Sequence, residues 1–183
     1  MVTFILGLPY DSNVQPTPDL WVLIAVVGLP FAAAAATPLV ARALGNRTAY
    51  YAAAVAAICF GLVVTLAGTH GGAAVTWVGP LSISLGFYVD GLATLVGALA
   101  SGVGVLVFCY SAGYMRGEPG QTKYYATMLA FMGSMLGVVY AGDLAVLFCF
   151  WELTSVASFL LVGHYSDRRE SRYAARKAML VTV

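Results

Sequence analysis

Long apolar runs broken by short polar joints set the plan of this chain. Read in windows of about 19 residues, four runs carry no charge: Leu20–Val40, Ala49–Ala67, Gly91–Ser111 and Tyr124–Ala141. A fifth, Leu144–Gly163, carries one. Each is long enough for a helix rising 1.5 Å per residue to cross roughly 30 Å of hydrocarbon. Unpaired backbone groups are costly in lipid, so the choice lies between helices and a closed barrel. A barrel would need alternating polarity in strands of about 9–11 residues, and the runs offer neither. The expected architecture is an all-α integral membrane bundle of five complete transmembrane helices plus the start of a sixth.

One joint reads differently. Within Gly68–Asp90, Thr76-Trp77-Val78, a Gly79-Pro80 turn and the alternation Ser82-Ile83-Ser84-Leu85 predict a short outer hairpin between helices 2 and 3. Trp77 and Tyr88 are expected at the lipid–water boundary, and His70 in solvent. In the first run, Pro30 is expected to kink the helix and Pro38 to help end it.

Composition agrees with the pattern. Hydrophobic residues make up 61% of the chain and charged residues 9%, against about 25% charged in an ordinary soluble domain. A net charge of +1 supplies no basic stripe for nucleic acid. Neither a cleaved signal peptide nor a soluble-type active site, cofactor loop or metal cluster is visible. Cys59, Cys109 and Cys149 are isolated, and read as small packing residues.

The basic residues set the topology. Arg42 and Arg47 flank the first joint, Arg116 and Lys123 the third, and Arg168, Arg169, Arg172, Arg176 and Lys177 follow the fifth run. Positive charge stays inside, so these joints are cytoplasmic and residues 1–19 form an outer N-terminal segment of a multi-pass cell-membrane protein. Asp19, Asp90 and Asp143 each precede an inward-running span, where an aspartate caps free N–H groups and complements the helix dipole. The Arg168–Arg172 cluster reads as positive-inside charge on anionic lipid.

Glu152 is the exception. It is the ninth residue of its run, near mid-bilayer, where a charge costs about 2.5–3.5 kcal/mol or more. Desolvation favours the neutral acid and a cationic neighbour favours the carboxylate. Opposed influences of that kind suit a group that takes up and releases a proton. The lesser alternative is a permanently protonated Glu hydrogen-bonded to a neighbouring helix. Ser155, one turn on, His164 at the cytoplasmic end and Lys177 in the next helix are possible pathway residues. His164 lies twelve residues beyond Glu152, roughly 18 Å of rise, so only a water wire could join them. Lys177 is placed to snorkel to the headgroups rather than to pair with Glu152.

The run Phe150-Trp151-Glu152-Leu153-Thr154-Ser155, followed by Ser158-Phe159-Leu160-Leu161-Val162-Gly163, resembles the fifth-helix signature of the antiporter-like subunits shared by Mrp-type multisubunit Na+/H+ antiporters and respiratory complex I. Asp90-Gly91-Leu92, Tyr124-Tyr125-Ala126 and Ala175-Arg176-Lys177-Ala178 resemble the openings of the third, fourth and sixth helices. The continuation Met179-Leu180-Val181-Thr182-Val183 is more similar to the large A-type Mrp subunit than to its complex I relative. The resemblance implies a proton-translocating subunit of a monovalent cation/proton antiporter, with other membrane subunits as partners and protons and Na+ as cargo. Its carrier Glu maps onto Glu152; the Lys that partners it on a seventh helix has no counterpart here. Residues 20–183 are therefore expected to be the truncated N-terminal part of such a domain, a short member borrowing its remaining helices being the other option. A proton-pumping subunit of a complex I-like NADH dehydrogenase or hydrogenase, and a non-transporting scaffold or assembly protein, remain alternatives.

The charge asymmetry makes a direct prediction. Cysteines introduced into Gly68–Asp90 should react with an impermeant thiol reagent from outside, and those in Ala112–Thr122 or Tyr165–Ser171 should not. The opposite labelling pattern would invert the topology.

Overall fold

The computed structural model describes residues 20–78, 83–165 and 169–182. Its elements in chain order are α1 (Leu20–Leu44), a single 3-10 turn (Gly45–Arg47), α2 (Thr48–Thr65), β1 (Gly71–Val78), β2 (Ile83–Val89), α3 (Gly91–Tyr114), α4 (Gln121–Tyr140), α5 (Leu144–Val162) and α6 (Arg169–Thr182). The fold is mostly helical, with one two-stranded sheet among the described residues.

Three stretches are long and apolar enough to cross a membrane: Trp21–Thr65, which runs through α1 and α2, then Gly91–Tyr114 and Leu144–Val162. The fourth helix is not among them, and its position explains why. It packs against α1, α2, α3 and α5, and it buries Tyr125, Leu129, Met132, Gly133, Ser134, Leu136, Gly137 and Tyr140. A helix shielded by its neighbours presents less of itself to lipid, so it tolerates Gln121, Lys123, Ser134 and three tyrosines. Tyr125 uses its polar end: its hydroxyl donates to the Ser111 carbonyl of α3 at 3.1 Å.

Small residues let the helices approach. Pro30 Cβ and the Phe31 ring of α1 lie 3.1 and 3.0 Å from where a Cβ on Gly133 of α4 would stand. On α2, the buried positions Ala52, Val55, Ala56, Cys59 and Val63 recur at three- and four-residue spacing, the stripe a helix turns toward a neighbour. The third helix packs against α2, where Gly102 admits the Phe60 ring. Between lipid-facing helices such packing replaces the hydrophobic drive that water supplies elsewhere.

Pro38 does not end α1, which continues to Leu44. A proline removes one backbone donor and crowds the carbonyl four residues earlier. In that turn two hydroxyls reach the neighbouring Ala33 carbonyl, Thr37 Oγ1 at 2.8 Å and Tyr51 OH of α2 at 3.2 Å. The apolar run then ends at the 3-10 turn, opened by Gly45 at φ +53°, a left-handed angle that favours glycine.

The hairpin between α2 and α3 is antiparallel, as expected, but longer. Gly71 pairs with Val89 and Val78 with Ile83, with a bulge between Thr76 and Val78. The extra length falls on Gly71-Gly72-Ala73-Ala74, which carries no alternation to read. Glycine suits it because a Cβ on Gly72 would meet the Phe87 carbonyl at 3.0 Å. The Gly79-Pro80 turn and the Trp77 side chain lie outside the described residues; Tyr88 is half-buried. The hairpin is tied to the bundle where the Gly142 N–H donates to the Gly86 carbonyl at 2.8 Å.

Two further expectations change. Of the cysteines only Cys59 is buried, while Cys109 and Cys149 are exposed, so the latter two do not pack within this bundle. The sixth helix starts at Arg169, before the motif that suggested it, so Arg169 and Arg172 belong to a helix and not to a joint. Glu170 in its first turn complements the dipole there.

The tightest seat in the bundle is Gly137, where an added Cβ would run into the Phe150 ring of α5. Gly137→Ala should destabilise the detergent-solubilised protein by about 1–3 kcal/mol through overpacking. Gly61→Ala, where a Cβ meets nothing within 4 Å, should be neutral or mildly stabilising. Equal thermal stability of the two variants would show that Gly137 is not a packing constraint.

Candidate functional site

The fifth helix holds the candidate carboxyl, and its rotation about its own axis decides what that carboxyl faces. The helix opens on Asp143, whose Oδ1 accepts the Ala145 N–H at 2.7 Å. Asp90 does the same for α3, accepting from Ala93 at 2.6 Å. Both are N-caps; Asp19 lies outside the described residues. Burial pushes the Asp90 pKa up, the Ala93 N–H pulls it down and nearby His70 adds a smaller pull in the same direction; the net shift is downward. The cap is thus complete above the ordinary carboxylate range, and its contribution fades only as pH falls through the lowered folded-state value.

Phe150 fixes the rotation of α5. Its ring lies over Gly137 of α4, 6.2 Å from the Phe31 ring of α1 and 6.3 Å from the Phe87 ring of β2. Phe150 is half-buried, and Val146 and Ala157, one turn before and two turns after it on the same face, are buried. At about 100° per residue, Glu152 stands roughly 200° around the helix from Phe150. It therefore points away from the described bundle. Its surroundings there are Phe148, 63% exposed, and Val156, 44% exposed, with exposed Cys149 nearby.

Glu152 itself is half-buried, and among the described residues it makes no hydrogen bond or ion pair. Ser155 is buried, but its hydroxyl turns back to the Trp151 carbonyl at 3.4 Å. Thr154 Oγ1 donates to the same carbonyl at 2.6 Å, so the backbone next to Glu152 is held by two side chains of its own helix. A cavity of about 310 Å³ between α1, α4 and α5 is lined by Leu153, Val156 and Ala157 but not by Glu152.

The other candidates are not gathered around it. His164 follows the end of α5 and sits in an aromatic nest, its ring 5.6 Å from Tyr124 and 5.0 Å from Tyr165. Its Nε2 is buried and has no hydrogen-bond partner among the described residues. Gly120, left-handed at φ +81°, gives it room, because a Cβ there would lie 3.2 Å from the ring. Lys177 is exposed. The α5–α6 contacts lie near their shared joint, with Ser171 Oγ donating to the Val162 carbonyl at 2.9 Å and Ala175 against Gly163. Lys177 is thereby left on the order of 10 Å of rise from Glu152. Among the described residues no group of three or more His, Cys, Asp or Glu is assembled that could hold a metal.

A single carboxyl on the open face of an apolar helix, unpaired among the described residues, could exchange a proton with a group brought to that face. The positions that matter most for this geometry and that the sequence did not single out are Phe150 and Gly137. One bulky aromatic and one glycine in apolar helices look like any others until their contact is seen.

Comparisons with known proteins place the chain in a family. The family described as "NADH-Ubiquinone oxidoreductase (complex I), chain 5 N-terminus" matches residues 75–125, and "NADH:quinone oxidoreductase/Mrp antiporter, TM" matches residues 141–183. The chain belongs to the antiporter-like subunit family of Mrp antiporters and complex I. Within it, similarity is to the N-terminal part of the large A-type Mrp subunit. The A/B-type subunit of a "Probable K(+)/H(+) antiporter" of Rhizobium meliloti is 40% identical over 141 residues, covering 73% of this chain and 14% of that protein. The A-type subunit of the "Na(+)/H(+) antiporter" of Alkalihalophilus pseudofirmus is 44% identical over 110 residues, 60% of this chain and 14% of its own length. The solved Mrp complex from Dietzia sp. DQ12-45-1b superposes with a TM-score of 0.77 at 32% identity, over 87% of this chain and 17% of that one. The chain thus spans about a seventh of the length of these curated relatives.

If Asp90 and Asp143 act only as caps, Asn or Ser at either position should leave ion flux within about twofold, while Ala should cost about 1 kcal/mol of stability. A flux loss as complete as that of a Glu152 variant would make them pathway residues.

Proposed function

We propose that this chain forms the N-terminal transmembrane part of a proton-translocating subunit in a multisubunit monovalent cation/proton antiporter, with Glu152 as the proton carrier. The observation that carries the reading is the outward aim of Glu152: Phe150 locks α5 so that the mid-helix carboxyl faces away from the bundle, with no partner among the described residues. A charge in that position needs a counter-charge. In this reading a cation on another helix, outside this chain's own elements, approaches the open face and sets whether Glu152 holds its proton. The names of the relatives, Na+/H+ in one and K+/H+ in another, support a monovalent cation as the exchanged ion.

The membrane arrangement belongs to the same proposal. All five long helices span, the Trp21–Thr65 stretch doing so twice: 45 residues rise about 67 Å, twice the hydrocarbon thickness. The 3-10 turn lets α1 and α2 fold back on each other. The N-terminus is outside in the cell membrane, the partners are other membrane subunits, and α6 begins a sixth span. His164 is assigned to the cytoplasmic entry, where its buried Nε2 would receive a proton through water; Ser155 and Lys177 are secondary. A complex I-like pump subunit uses the same carboxyl and is the second reading, supported by the family matching residues 75–125.

Variants of Glu152 test the carrier role in membrane vesicles, with flux normalised to assembled complex. Glu152→Gln keeps volume and a hydrogen-bonding end but exchanges no proton, so flux should fall by about a hundredfold or more while assembly survives. Glu152→Asp keeps the acid one methylene shorter and should retain part of the flux. A scaffold Glu that is always protonated reverses the ranking, and Gln outperforming Asp would end the carrier reading.

A further inference from the structure

We propose a site for the phosphate of an anionic lipid headgroup at the inner end of the α2–α3 pair. A cavity of about 260 Å³ opens there, lined by Asn46, Arg47, Tyr50, Ala112 and Arg116. It differs in kind from the cavities between the helices. Those between α3 and α4 and between α1, α4 and α5 are lined mainly by apolar side chains, whereas this one gathers two guanidinium groups, an amide and a phenol. Neither guanidinium makes an ion pair or hydrogen bond among the described residues, and Glu118, the only acidic residue between α3 and α4, is not in the lining. Arginine's planar fork matches phosphate oxygens in pairs.

The surroundings add donors of the same sign. The second helix starts at Thr48, next to Asn46 and Arg47, with no side-chain cap and no acidic residue in its first turn, so the positive end of its dipole favours an anion at this end. Gln121 Nε2 reaches Asn46 Oδ1 at 3.5 Å, which leaves the Asn46 amide N–H groups free to donate. Lipid is favoured over free phosphate by the exposed tyrosines at this end of the pair. Tyr50, in the lining, is 67% exposed, and Tyr110 and Tyr114, on another face of α3, are 74 and 64% exposed and stack at 6.1 Å; tyrosines at one level mark a headgroup boundary. The proposal rests on the membrane reading of the helices and is independent of proton carriage by Glu152.

The test uses the protein in its membrane assembly, reconstituted in nanodiscs of phosphatidylcholine with increasing phosphatidylglycerol, retained lipid being counted by native mass spectrometry. Removing either arginine (R47A or R116A) should lower retained phosphatidylglycerol about fivefold, and removing both on the order of 25-fold, from the worth of one basic residue near an anionic surface. Should the double variant fail to assemble, R47Q and R116Q carry the reading. Arg42→Ala, at the same membrane face but outside the cavity, should change nothing. Equal retention in the double variant, an equal loss in R42A, or displacement of the lipid by inorganic phosphate at matched concentration would each overturn the proposal.

Discussion

The contact between the Phe150 ring and the bare backbone of Gly137 is the constraint on which the rest of the arrangement depends. In lipid, two apolar helices gain little by hiding from solvent, so their mutual rotation is set by which surfaces fit. A phenyl ring over a glycine fits in one way. Because Phe31 and Phe87 close on the same ring, α1, α4, α5 and the outer hairpin share a single point of registration. Rotating α5 to bring Glu152 inward would pull Phe150 from that point and set a carboxyl against apolar side chains. The outward aim of Glu152 is thus a packing result.

The same economy shapes α4. The least apolar of the five long helices holds the centre because its tyrosines, serine and glycines are met by neighbours on several sides. This inverts the habit of soluble bundles, where the most apolar surface seeks the middle. Around it α2 and α3 present small residues to each other and large ones outward, as Leu95, Leu99 and Leu106 on α3 do. The polar chemistry is pushed to the ends: the Asp90 and Asp143 caps at one, the arginine-lined cavity and the His164 nest at the other. Among the described residues Glu152 is the charged group that stands between, on a face that these elements leave open.

Much of this was legible before any coordinates. Five apolar runs, their boundaries to within a few residues, the hairpin, and two of the aspartate caps follow from hydrophobic length, turn residues and the physics of free N–H groups. Those are local properties, and a chain in lipid has few local choices. The resemblance of the Phe150–Ser155 run likewise placed the chain in its family. Where local rules failed, a neighbour had intervened. Pro38 stays inside α1 where a hydroxyl from α2 reaches the disturbed turn, and β1 extends through Gly71–Ala74 because its partner strand supplies the pairing.

The sequence by itself determined the helices, their order, the segregation of the basic residues into alternate joints and the presence of one carboxyl at mid-helix. Only the tertiary structure decided which way that carboxyl points, that α4 is central, that His164 is enclosed by Tyr124 and Tyr165, and that Arg47 and Arg116, 69 positions apart, line one cavity. The reason is physical. Apolarity along these helices varies too little from face to face to signal their rotation, since lipid and a neighbouring helix accept the same side chains. Rotation is therefore set by shape at a few contacts, and shape at a contact belongs to two segments at once.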